Sequence, residues 1–186
     1  WEKCHLVTAN GPLMVTLGGS DAYTAGQFFK GLTTDAWQGP LALPAGRKLT
    51  TVVPGQAEGP IVGGNLTVLT SLVGTPYALD GTGCILVLED TGEDAYRIDR
   101  MLNQLWQSGL LSRVAAIAYG DFTDCPNDPG DFTTDQVLDY YAHLAGKPAI
   151  KGLPVGHTKD KAFVPYGVKV RLDADGEGAS LTFIDV

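Results

Sequence analysis

The chain holds three histidines, and one of them, His157, sits in the stretch KGLPVGHTKDK, residues 151–161. A Pro-Val-Gly turn precedes it, and a short apolar segment, Pro148 to Ile150, comes before that. Imidazole exchanges protons near neutral pH, so a histidine on a Gly-hinged loop is suited to general-base work. The plain alternative is a surface histidine on a turn. Glu89 closes the apolar run Ile85-Leu86-Val87-Leu88. In open α/β sheets, ligands gather beyond the carboxyl ends of strands, where an acid can orient an imidazole. Asp90, Glu93 and Asp94 follow, and acids there cap the next helix and complement its positive end. Glu93 and Asp94 are read that way. On spacing alone, Glu89 fits either role.

Histidine and acid would need a nucleophile. Ser20, in LGGSDAY, lies at a junction leading into a helix and resembles a nucleophile elbow by type. It lacks the glycine two residues on, and it explains itself as a helix N-cap. Ser71, Ser108, Ser112 and Ser180 show no elbow features. Cys4, Cys84 and Cys125 are odd in number and have neither metal-ligand spacing nor a readable histidine partner. They read as reduced thiols, Cys84 buried in a strand. His5, in a strand at the frayed start, and His143, late in a helix, read as structural. No HExxH or CxxC occurs. DADGEG, from Asp173, begins like a calcium loop but has Ile184 where a glutamate is required, so it reads as a turn. GGNL only weakly suggests phosphate binding at a helix start.

These groups must be positioned by elements that the hydrophobic pattern predicts. CHLVTANGP reads as a short strand into a turn, and SDAYTAGQFFKGL as a helix capped by Ser20, with Phe28, Phe29 and Leu32 on its apolar face. A Gly/Pro-rich stretch follows, and a domain boundary is placed near Arg47. GGNLTVLTSLVG reads as a helix opened by two glycines. CILVLE and RVAAIAYGDF are continuous apolar runs of strand length, buried on both faces. Between them an amphipathic helix carries Tyr96, Ile98, Met101, Leu102, Leu105 and Trp106 near the 3.6 period, and Gly109 stops it. TTDQVLDYYAHLAG is a helix with Thr134 as cap, and KPAI a short strand. The end reads as a hairpin: Val168, Val170 and Leu172, a turn at Asp175–Gly178, then Leu181, Phe183 and Val186. Together these predict an α/β fold, a βαβ core with an antiparallel edge.

The 186 residues suffice for one full core with room for a small second lobe. Apolar content of 44% and charged content of 18% indicate a folded protein. A net charge of −8, without a basic cluster, argues against nucleic acid or an anionic membrane as partner. No apolar run is long enough to span a membrane. The first residues lack a signal peptide's layout and a methionine start, and suggest a fragment or processed product.

Four stretches in order resemble the LD-carboxypeptidase family, serine peptidases that include muramoyltetrapeptide carboxypeptidases and microcin C self-immunity proteins. They are GPIVGGNLTVLTSLVGTPY (59–77), ILVLEDTGEDAYRIDRMLNQLWQSGLL (85–111), YGDFTDC (119–125) and GLPVGHTKDKAFVPYGVKVRL (152–172). The resemblance implies a Ser-Glu-His triad, with Glu89 of the LED motif as orienting acid and His157 of the P-x-GH motif as base. It implies the family's C-terminal swivelling-type α/β domain over residues 47–186, with the tail of a Rossmann-like domain over residues 1–46. The family's serine precedes an HGP motif, which stands here as NGP, Asn10 to Pro12. Chain order therefore rejects Ser20 and places the nucleophile upstream of Trp1. The asparagine at position 10 departs from the pattern. The implied reaction is hydrolysis of the amide bond to the terminal D-alanine of a murein tetrapeptide, in the cytoplasm, by a homodimer without cofactor or metal. The rival substrate is a peptidyl-nucleotide antibiotic, for which Trp37 is the candidate stacking residue. A non-catalytic fragment lacking the serine is the third reading.

Overall fold

The computed structural model describes residues 1–33, 37–175 and 178–184. In chain order the elements are β1 (Thr8–Asn10), α1 (Met14–Leu17), α2 (Ala22–Thr33), β2 (Gly39–Pro40), β3 (Thr50–Val53), β4 (Gln56–Asn65), α3 (Leu66–Ser71), β5 (Ile85–Thr91), α4 (Ala95–Gln107), α5 (Leu110–Arg113), β6 (Ala116–Thr123), α6 (Thr134–Ala145), β7 (Ala149–Lys151), β8 (Val164–Tyr166), β9 (Lys169–Asp173) and β10 (Ser180–Phe183). Among the described residues, eight strands form one mixed sheet in the order β2-β10-β9-β4-β5-β6-β7-β3. The run β4-β5-β6-β7 is parallel. The hairpin β9–β10 and β2 flank it antiparallel on one side, and β3 on the other. A second antiparallel pair joins β1 to β8. The fold is the expected α/β arrangement.

β5 is central because Ile85 to Leu88 are fully buried. Successive side chains on a strand point to opposite faces. Ile85 and Val87 accordingly pack with Ala116, Ala118, Ile150, Leu153, Val155 and Leu172. Leu86 and Leu88 pack on the other face with Ile117, Tyr119 and the helices, through Ile98, Leu102, Leu105 and Leu138. Ile98, Leu102 and Leu105 recur at helical spacing and are fully buried. Removing Leu102 to alanine would cost about 2–5 kcal/mol. Tyr96 and Trp106, expected on that face, are exposed. Tyr96 instead lies beneath the guanidinium groups of Arg97 and Arg100. Gly109, at φ +80°, ends the helix as expected.

Several local expectations are corrected. The two glycines of GGNL end β4 and do not open a helix; α3 starts at Leu66 behind Asn65, whose side chain accepts from the Val68 N–H. A Cβ at Gly63 would drive into the Val87 carbonyl of the neighbouring strand, which explains glycine there. Asp21, not Ser20, caps α2: its Oδ1 accepts from the Thr24 N–H at 2.7 Å. Phe29 and Leu32 of that helix are exposed. The cap of α6 is Thr133, in a reciprocal capping box with Gln136; Thr134 donates to the Cys125 carbonyl instead. Cys84 is buried just before β5 rather than within a strand, and His5 lies outside any strand at φ +51°. The hairpin pairs Ser180 to Phe183 with Asp173 to Val170. Gly176 and Glu177 of its expected turn, and Val186, lie outside the described residues.

Candidate active site

Glu89 follows the buried run at the carboxyl end of β5, on the face away from the helices. Its side chain is 4% exposed. Oε2 lies 3.0 Å from His157 Nδ1, across a sequence separation of 68 residues. A carboxylate only accepts hydrogen bonds, so Nδ1 carries the hydrogen and Nε2 keeps its lone pair. The imidazole is 54% exposed, which leaves its other edge open to a reactant. The structure thus brings together the acid and the base expected from sequence. What buried Glu89 supplies is a fixed acceptor that selects one tautomer. Burial first, and then the charge of Glu89, raise the pKa of the nearby Tyr166 hydroxyl.

Two glycines make room for this pair. The β5–β6 register slips between Leu88–Asp90 and Tyr119–Phe122, so β6 bulges opposite Glu89. Gly120 sits in the bulge, where a Cβ would strike the Val155 carbonyl and lie 3.2 Å from Glu89 Cβ. Gly156, at φ +133°, precedes the histidine, and a Cβ there would lie 3.1 Å from Glu89 Oε2. The loop between β7 and His157 is pinned: the Gly152 and Leu153 N–H groups donate to the Tyr119 carbonyl, and the Asp121 N–H donates to that of Val155. Leu153 and Val155 are fully buried beneath it. Beyond His157, the Thr24 hydroxyl donates to the Lys159 carbonyl and accepts from the Lys161 N–H, which docks α2 on the loop.

Asp90, next to Glu89, points to the helix face and is 2% exposed. It accepts from Asn65 Nδ2, the Thr67 N–H, the Thr67 hydroxyl and its own Thr91 N–H. It therefore supports the start of α3, the helix before it in the chain, and not α4, which it precedes in sequence. It also fills the place at GGNL where an anion was considered. Asp94 is the N-cap of α4 by position without a side-chain cap bond, and Glu93 pairs with Arg97 at 3.7 Å.

Ser20 donates to the Leu17 carbonyl at 2.7 Å, and among the described residues no serine hydroxyl bonds to His157. His143 Nδ1 meets the Asp139 carbonyl at 2.7 Å, and neither it nor His5 joins the pair. Trp37 lies flat on Phe163, ring centres 5.5 Å apart and planes 9° from parallel. Among the described residues no group of three or more His, Cys, Asp or Glu could hold a metal ion, and no helix is long and apolar enough to cross a membrane. A cleft of about 620 Å³, lined in part by Gly120, Asp121, Asp135, Lys151 and Gly152, opens on the adjoining strands; Glu89 and His157 do not line it. Sequence reading missed Gly120, Asp121 and Arg47. Only the glycine of YGDF, closing a strand beside LED, carried a signal.

A mixed α/β sheet whose parallel strands present an acid-paired, half-exposed histidine at their carboxyl ends has the layout of an open α/β fold, in which ligands gather at that edge. The chain belongs to the LD-carboxypeptidase family, a family of serine carboxypeptidases: residues 58–172 match its C-terminal domain. A probable murein peptide carboxypeptidase of Bacillus subtilis is 44% identical over 127 residues, 67% of this chain and 40% of that protein. A putative carboxypeptidase of Synechocystis is 34% identical over 98% of this chain and 58% of its own length. The crystal structure of muramoyltetrapeptide carboxypeptidase from Oxalobacter formigenes superposes with a TM-score of 0.83 at 30% identity, covering 100% of this chain and 64% of that one. The microcin C7 self-immunity protein MccF bound to aspartyl sulfamoyl adenosine shares the fold, with a TM-score of 0.83 at 23% identity. The chain thus spans 40% and 58% of the length of those two curated relatives.

Proposed function

We propose that this chain supplies the orienting acid and the general base of an LD-carboxypeptidase reaction: hydrolysis of the amide bond to the terminal D-alanine of a murein tetrapeptide. The observation that carries the reading is the 3.0 Å contact from buried Glu89 Oε2 to His157 Nδ1. In this reading a serine attacks the carbonyl. His157 Nε2 takes the serine proton and returns it to the leaving amine, and Glu89 holds the tautomer and stabilises the imidazolium. The serine lies outside the 186 residues, so this chain alone is inactive. The boundary between the nucleophile-bearing domain and this one falls near Arg47. The complete enzyme works in the cytoplasm as a homodimer and needs no cofactor.

The test uses the complete protein and a murein tetrapeptide. Glu89→Gln should lower kcat by about 10³–10⁴-fold with the fold intact. His157→Ala should do the same. Activity within about tenfold of the parent in either variant would sink the assignment. A fluorophosphonate should label nothing on the 186-residue chain; labelling of Ser20 would restore that serine as nucleophile. The second reading, a peptidyl-nucleotide substrate, draws support from MccF in the same family. It is chosen instead if an aminoacyl sulfamoyl adenosine is hydrolysed and the tetrapeptide is not. Trp37 already stacks on Phe163 and has the Phe183 ring centre 6.0 Å away, which weighs against it as a platform for a base.

A further inference from the structure

Arg47 is carried by the turn Pro44–Arg47, in which the Arg47 N–H donates to the Pro44 carbonyl and Gly46 takes φ +79°. That φ at the third position is what a type II turn requires, hence glycine. The guanidinium reaches across the sheet edge to the histidine loop. Its Nε donates to the Gly152 carbonyl at 2.7 Å, and its Nη2 to the Leu153 carbonyl at 2.7 Å and to Asp121 Oδ1 at 2.6 Å. The two side chains are 19% and 21% exposed.

The loop has no periodic structure, so its carbonyls need individual partners. That of Gly152 accepts from Arg47, and that of Leu153 from Arg47 and from the Val155 N–H at 2.8 Å. That of Pro154 accepts from the Ala162 N–H, and that of Val155 from the Asp121 N–H. Every carbonyl from Gly152 to Val155 is thereby engaged, and among the described residues Arg47 is the only side chain that does it. Asp121 acts twice, through its amide on Val155 and through Oδ1 on Arg47. Its other oxygen, Oδ2, is buried without a protein partner among the described residues, where Arg47 is the one side chain that bonds this carboxylate. Two residues past Val155 comes the imidazole. A planar fork of donors fits two successive carbonyls in a way that a lysine ammonium does not.

We infer that Arg47, backed by Asp121, is a positioning residue for His157: it sets the loop from which Nδ1 meets Glu89. The geometry stands by itself; the consequence for turnover rests on the function proposed above. The imidazole nitrogens of His157 give a readout that loss of general stability does not move. In the 186-residue chain carrying His5→Gln and His143→Gln, ¹⁵N spectra at about pH 8 should show a single tautomer, protonated at Nδ1. Arg47→Ala should bring the two nitrogen signals toward each other as the tautomers mix, with the amide spectrum still that of a folded chain. Asp121→Asn should do so in part. Should Arg47→Ala fail to fold, Arg47→Lys takes its place, because it keeps the cation and loses the fork. An unchanged Nδ1-protonated signature in a folded Arg47 variant overturns the inference. In the complete enzyme, Arg47→Lys should lower kcat about 10- to 100-fold with little change in KM. If Glu89→Gln leaves turnover intact, the proposed function fails, while the nitrogen spectra still decide the role of Arg47.

Discussion

Gly120 faces Glu89 across a strand bulge so closely that a methyl group at position 120 would lie 3.2 Å from Glu89 Cβ and run into the Val155 carbonyl. The acid, the strand beside it and the histidine loop are therefore packed against one another with no spare volume. Gly120→Ala should destabilise the chain by about 1–3 kcal/mol, as overpacking does. It should also disturb the His157 nitrogen signals. A urea midpoint at the parent value would show that the bulge accommodates a side chain.

Asp90 places four acceptor contacts on one buried carboxylate. Asp90→Ala leaves the Thr67 N–H and the Asn65 amide without that acceptor, at a cost of about 2–3 kcal/mol in urea unfolding. The amides of Leu66 to Ser71 should exchange faster in the variant. Protection there equal to the parent's would refute the link between Asp90 and α3.

Thr133 and Gln136 cap α6 reciprocally. Thr133→Ala should cost about 1 kcal/mol. A double-mutant cycle of Thr133→Ala with Gln136→Ala should show coupling of about 0.5 kcal/mol or more, and the same cycle with Thr134→Ala none. Coupling of Gln136 to Thr134 would move the cap by one residue.

The Cys84 thiol is pushed up to about 11, by burial first and then by the charges of Glu2 and Asp80. The thiolate is the reactive form, so raising the pKa suppresses reaction at neutral pH. Cys4 is exposed and Cys125 half-buried. Ellman's reagent at about pH 8 should modify Cys4 readily and leave Cys84 untouched until denaturant is added. Rapid reaction of Cys84 in the folded chain would contradict its burial.

The elements nearest the site were the most legible in sequence. CILVLE and RVAAIAYGDF announce buried strands because both of their faces meet apolar neighbours, and Ile98, Leu102 and Leu105 keep helical spacing. Where a distant partner decides, the sequence was silent. Asp90 stands in an acidic run ahead of α4, yet its partner Thr67 lies 23 residues earlier. Gly63 and Gly64 look like a helix start; the carbonyl of Val87 on the neighbouring strand explains the first, and a φ of +136° the second. Arg47 and Asp121 are 74 residues apart, in a loop and a bulge with no periodicity to read. The pairing of Glu89 with His157 came from the family resemblance; spacing alone left both residues ambiguous.

Glu89 and Asp90 are adjacent, buried, and turned to opposite sides of one sheet. The sheet thus works as a partition, with the Glu89–His157 pair on one side and helix support on the other. Changes to the outer surfaces of α4 and α6 meet neither the imidazole nor its loop. Substitutions drawn from the two sides should combine additively. A lineage, or an engineer, can then retune robustness from the helix side while the geometry around the histidine stays as it is.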